Sequence, residues 1–220
     1  MSEIEIQTPA ELDAMRGKAE REKDDDLLGA VEAVDYALQQ GVFALPVNIA
    51  RPNPPDAVIS SDGKPVLAVE VTRVTWQRLS EVEAAAGPGE LIELNLELCV
   101  DRKARRDRKV PKGARTGSFR AIKAFGEKLD GPGWVDDGME AATLDALKAA
   151  VEKKQAKFQN YAASAGRVWL FLIHDGIPGA WEGILSNPGL RARAETICAA
   201  NSFERVLLFR FGPRSVTVLL

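Results

Sequence analysis

The residues best suited to chemistry lie between Pro54 and Val74, PPDAVISSDGKPVLAVEVTRV. Pro55-Asp56 opens a short β segment, Asp56 to Ile59. Ser60 to Lys64 then reads as a turn, because Asp62-Gly63 favours positive φ. A second strand follows from Val66 to Val74, with Glu70 inside its apolar run. Strands joined by a tight turn lie side by side, so Asp56 and Glu70 are expected to share one space. A carboxylate among Val, Leu and Ala is costly unless it is paired or meets a cation. Two such carboxylates repel each other, and a hard divalent ion such as Mg²⁺ or Mn²⁺ relieves that repulsion with oxygen ligands.

The elements that must position this pair are read from periodicity. Residues 1–23 are charged and read as a tail or loosely held helix. Asp24, Asp25 and Asp26 suit the positive end of a helix dipole, and Leu27, Val31, Val34 and Leu38 recur at helical spacing up to Gly41. Phe43 to Ile49 is expected as a strand, and Arg51 to Pro55 as a stiff connection. Residues 76–140 form a long, less regular region. A helix is expected from Thr143 to Ala163, a buried strand from Arg167 to His174, and a helix from Asn187-Pro188 to about Ala200. A closing hairpin joins Arg205–Phe211 to Ser215–Leu220. Interleaved helices and strands predict an α/β fold, a mixed central β-sheet flanked by helices.

Composition narrows the setting. The chain has 220 residues, read as a single domain, and 45% hydrophobic content, as in globular proteins. No apolar run approaches the ~20 residues that span a membrane. The start, MSEIEIQTPAELD, is acidic and lacks the apolar core of a secretory signal. Cys99 and Cys198 show no metal-ligand spacing, and one histidine argues against a Cys/His zinc site. These features predict a reducing, cytoplasmic setting without membrane contact. The net charge is −3, yet residues 101–123 carry ten Lys or Arg against two Asp, a local balance of +8. Its members include Arg102, Lys103, Arg105, Arg106, Arg108, Lys109, Lys112 and Arg115. Such a segment is either a solvated loop or a phosphate-binding strip that lets an acidic protein approach nucleic acid.

Pro55-Asp56, Glu70-Val71-Thr72 on the next strand, Glu32 in the first apolar helix and a later helix with Lys154, Lys157 and Tyr161 together resemble the PD-(D/E)xK nuclease superfamily. The resemblance covers about residues 24–174 and implies a restriction-endonuclease-like core with an insertion after the third strand, at about 76–140. It implies a metal-dependent nuclease acting on nucleic acid, with DNA the expected substrate. Asp56, Glu70 and the Val71 carbonyl would hold Mg²⁺ or Mn²⁺, with Glu32 contributing. The family pattern has lysine where this chain has Thr72. The resemblance therefore implies a lysine supplied from the later helix, Lys157 first and Lys154 second, with Thr72 as a water-positioning group. The alternative is a non-catalytic nuclease-fold protein, a nucleic-acid-binding or protein-interaction module in a defence or repair assembly. A homodimer or a partner protein is compatible with either reading.

Overall fold

The computed structural model describes residues 3–74, 91–92, 121–122, 137–174, 180–210 and 215–220. Contacts divide the chain into two compact units. One comprises Met1–Val74, Lys148–Asp175 and Ala192–Leu220; the other comprises Thr75–Leu147 and Gly176–Arg191.

The first unit is built on a seven-stranded mixed sheet. Strands β1 (Glu3–Ile6), β2 (Val47–Ala50), β3 (Ala57–Ser61) and β4 (Lys64–Val74) form an antiparallel meander. In the second unit, β5 (Leu91–Ile92) pairs antiparallel with β6 (Ala121–Ile122). Strand β7 (Val168–His174) then runs parallel to β4, β8 (Arg205–Arg210) runs parallel to β7, and β9 (Ser215–Val218) closes the edge antiparallel to β8. The order across the sheet is β1-β2-β3-β4-β7-β8-β9. Val168 to Ile173 are all buried, as a central parallel strand requires. The β3–β4 turn is made by Asp62 and Gly63, with φ of 51° and 72°. Those positive angles are why Asp-Gly stands there.

Helices α1 (Pro9–Glu22) and α2 (Asp25–Gln39) cover the meander. Thr8 caps α1 with Pro9 inside its first turn, and Asp24 caps α2 by accepting from the Leu27 N–H at 3.0 Å. The apolar stripe of α2, including Leu27, Val31 and Val34, is buried. Gly29 lets α2 approach the sheet closely. A Cβ built there would lie 2.6 Å from Val71 Cγ2 and 3.2 Å from Phe171 Cδ1.

Four expectations are revised. The first 23 residues are ordered as β1 and α1, and Ile6 is fully buried against β2. The Glu-Ile-Glu-Ile alternation is the strand period that signals this. The strand expected from Phe43 begins only at Val47, since Pro46 has no N–H to donate to a ladder. The helix expected over Thr143–Ala163 is two helices, α3 (Asp137–Gln155) and α4 (Phe158–Ala162). At the break, the Gln155 side chain donates to Ser202 Oγ at 3.0 Å and accepts from the Ser202 N–H at 2.8 Å. Phe158 meets Phe203 edge-on at 5.3 Å between ring centroids. These tertiary contacts re-aim the chain at Lys157, whose φ and ψ of −109° and 6° are not helical. Finally, residues 180–186, to which the sequence pattern assigned no element, form helix α5 (Ala180–Ser186) in the second unit, ahead of α6 (Pro188–Ala199).

No described helix is long and apolar enough to cross a membrane. The basic residues Arg102 to Arg115 lie outside the described residues, as does Cys99. Cys198 is buried, and burial pushes its thiol up to about 12.

Candidate functional site

The last backbone pair between β3 and β4 is Ala57 with Val69. One residue earlier, Asp56 has left the strand, and its Oδ2 accepts from the Val71 N–H at 2.8 Å. The side chain thus takes the place of the β3 backbone where the ladder ends. In a strand the N–H and C=O of one residue leave on the same side. Ala68 donates to Arg167 on the β7 side, so Val71, three residues on, turns toward the β3 side, and its carbonyl faces the same gap as Asp56.

Glu70, 4% exposed, lies beside Leu170 of β7 in the register. Lys154, near the end of α3, donates from Nζ to Glu70 Oε1. The same ammonium lies 3.9 Å from Asp56 Oδ2. One cation therefore bridges Glu70 of β4 and Asp56 just ahead of β3. The second Glu70 oxygen, Oε2, is buried and has no hydrogen-bond partner among the described residues. The Tyr161 hydroxyl is in the same condition. Burial, then the negative charge of Glu70 and the approach of the phenol to that carboxylate, and last Asp56, push the Tyr161 phenol well above its ordinary value. Asp56 is also raised, by burial and by repulsion from Glu70, against the Val71 N–H and Lys154.

Several expected participants stand elsewhere. Glu32 is buried but accepts from Arg16 Nε of α1 at 2.6 Å, and Arg16 Nη2 also reaches Asp35 at 2.8 Å. Its charge neighbours are Arg16, Asp35 and Glu20, so it belongs to a clasp between α1 and α2. Lys157 is exposed at the N-cap of α4. The break after Gln155 takes it off the helical face that carries Lys154. Thr72 is half-buried, two residues beyond Glu70 on the same face of β4.

One acidic residue enters that the sequence reading had assigned only to the helix dipole. Asp26, in the first turn of α2, is raised by burial and then by repulsion from Asp56, while Arg51 and Lys154 oppose the shift. Arg51 lies between the groups, 2.6 Å from Asp24 Oδ2 and 3.5 Å from Asp26 Oδ2. Asp24 lies below its ordinary value: burial works against ionisation, but the Arg51 hydrogen bond and the Leu27 N–H outweigh it. The signal for Asp26 is the run of three Asp at the start of α2. A single cap uses only one of them.

Among the described residues no group of three or more Asp, Glu, His or Cys side chains is placed to hold a metal ion. The donors at hand are two carboxylates, one with a buried free oxygen, and the Val71 carbonyl. This set of hard oxygens fits Mg²⁺ or Mn²⁺, which keep several waters, rather than a fully protein-ligated ion. No protein-family model, no curated protein and no solved structure matches the chain.

Proposed function

We propose that the protein is a metal-dependent nuclease of restriction-endonuclease-like type, hydrolysing phosphodiester bonds with Asp56, Glu70 and Lys154 at its centre. The observation that supports this most is the bridge of Lys154 across Asp56 and Glu70. It supplies from α3 the cation that Thr72 does not supply from β4. Asp56 and Glu70, with the Val71 carbonyl, would hold Mg²⁺ or Mn²⁺. The ion would lower the pKa of a bound water and neutralise charge on the transferring phosphoryl group. Lys154 would orient the attacking water or offset charge on the phosphate oxygens. Asp26 and Arg51 would border the entry, the first repelling and the second attracting a phosphate. The basic segment at 101–123 would hold the backbone of the nucleic acid, with DNA the favoured substrate.

The test is cleavage of single-stranded, duplex and branched DNA and RNA in Mg²⁺ or Mn²⁺. Wild type is expected to cut at least one of them, and Lys154→Met to cut about 10²-fold more slowly, the scale of losing one positioned catalytic group. Equal rates would remove Lys154 from the chemistry. The second reading is a non-catalytic binding module, favoured by the threonine at position 72 and by a lysine already paired with the carboxylates. No cleavage by wild type in either metal decides for it.

A further inference from the structure

Asp56 and Glu70 offer hard oxygens to a divalent cation, yet a cation from the chain itself stands there. Lys154 Nζ donates to Glu70 Oε1 and lies 3.9 Å from Asp56 Oδ2. Asp56 Oδ2 is further engaged by the Val71 N–H at 2.8 Å. The only oxygen of the pair that is buried and without a partner among the described residues is Glu70 Oε2. A divalent ion at ordinary oxygen distances of ~2.0–2.6 Å from both carboxylates would therefore come within a few ångström of the ammonium. Charges of the same sign at that separation repel each other, the more strongly the less water screens them. Without any cation, buried Glu70 and half-buried Asp56 would be like charges with no compensation, which is costlier than the pair as it stands.

Lys154 has the means to leave. Its side chain is 17% exposed, against 5% for that of Glu70, so its flexible stem reaches solvent while the carboxylate does not. It stands one residue before the end of α3, where the chain turns toward the exposed Lys157.

We infer that Lys154 is an exchangeable counter-ion: its ammonium holds Asp56 and Glu70 together in the metal-free protein and is displaced from Glu70 by the entering divalent ion. The entry of the ion then releases the lysine toward the phosphate that the ion recruits. The same residue keeps the empty site folded and becomes a positioning group only when metal is present. This inference rests on the metal-binding reading of the site and specifies the order of events within it.

The experiment is calorimetric titration of Mn²⁺ into the full chain and two variants. Lys154→Met is expected to bind Mn²⁺ tighter than wild type by about tenfold or more, the direction set by removing one positive charge from the site. Lys154→Arg, which keeps the charge, is expected to bind no tighter than wild type. Equal affinity in wild type and Lys154→Met overturns the exchange while leaving the metal site and the nuclease reading intact. Tightening in both variants also overturns it, since charge would not be the cause. Absence of Mn²⁺ binding in wild type and Lys154→Met alike overturns the metal reading and the exchange with it. Because Lys154→Met leaves buried Glu70 beside half-buried Asp56 with no cation between them and can lose its fold, wild type alone provides a second measurement. Acylation of Lys154 by an amine-reactive reagent, followed by mass spectrometry, is expected to run faster in saturating Mg²⁺ than in EDTA. An unchanged rate in a protein that binds Mg²⁺ overturns the exchange.

Discussion

Glu32 and Glu70 are both buried carboxylates, and each meets one basic side chain from a neighbouring helix. What separates them is the second oxygen and the second acid. Arg16 is a fork that reaches Glu32, Asp35 and Asp13 at once, so its charge is fully used within α1 and α2. Lys154 is a point charge shared by Glu70 and Asp56, and Glu70 Oε2 is left over. Glutamine at each position separates a structural role from a metal-binding one. Glu70→Gln is expected to abolish any Mn²⁺-dependent rise in melting temperature. Glu32→Gln is expected to lower stability in the metal-free protein by about 1–3 kcal/mol, the scale of leaving a charged hydrogen-bonding group without its ionic partner. It is expected to keep the full Mn²⁺-dependent rise. Melting curves of both variants with and without Mn²⁺ check this, and loss of the rise in Glu32→Gln would return that residue to the site.

At the scale of elements, the seat of α2 on β4 sets where Asp26 and Glu70 stand. The close approach depends on Gly29, whose missing Cβ would lie 2.6 Å from Val71 Cγ2 and 2.9 Å from Cγ1. Val is stiff at χ1 and cannot swing aside. Gly29→Ala is therefore expected to destabilise by about 1–3 kcal/mol through overpacking, although alanine alone would favour the helix by about 1 kcal/mol. A urea midpoint equal to or above wild type would show that α2 can lift without cost. The start of α2 gives a second test. Asp24 caps the helix and pairs with Arg51, and its carboxyl is held below its ordinary value. A lowered folded pKa means stability that is present above the unfolded value near 3.8 and is lost as pH falls through the folded one. Asp24→Ala is expected to cost about 1–2 kcal/mol at neutral pH and progressively less toward acid, measured by melting at a series of pH values. Much at this scale was legible in the sequence. The Asp62-Gly63 turn, the stripe of α2, the buried strand at 168–174 and the closing hairpin each follow from local pattern. The break between α3 and α4 was not, because it is made by Ser202 and Phe203, more than forty residues away in the chain. For the same reason the sequence favoured Lys157 over Lys154, and it could not show that Arg16 reaches Glu32. The alternation of β1 was legible but too short to outweigh the charge around it.

The whole molecule is an acidic chain with one basic stretch. Its net charge is −3, and residues 101–123 contribute +8, so the remainder sums to −11. A polyanion approaching the rest of the chain meets repulsion on average, and within the site it meets Asp26, Asp56 and Glu70. Only a concentrated positive segment reverses that balance over the Debye length of about 8 Å at physiological salt. The segment and the candidate site belong to different compact units, which makes their contributions separable. Replacing Arg105, Arg106, Arg108 and Lys109 with Gln is expected to weaken binding to duplex DNA about equally for unrelated sequences, since phosphate contacts carry no base information. Each lost contact removes about 0.9 from the slope of log affinity against log salt, so the slope is expected to flatten by up to about 3.6. Mn²⁺ affinity is expected to stay at the wild-type value, because none of the four residues borders Asp56 or Glu70 in the chain. Fluorescence anisotropy across a salt series and calorimetry on the same preparation measure both quantities. An unchanged slope would make the segment a solvated loop. A flattened slope with weakened Mn²⁺ binding would show instead that the two units act on one another.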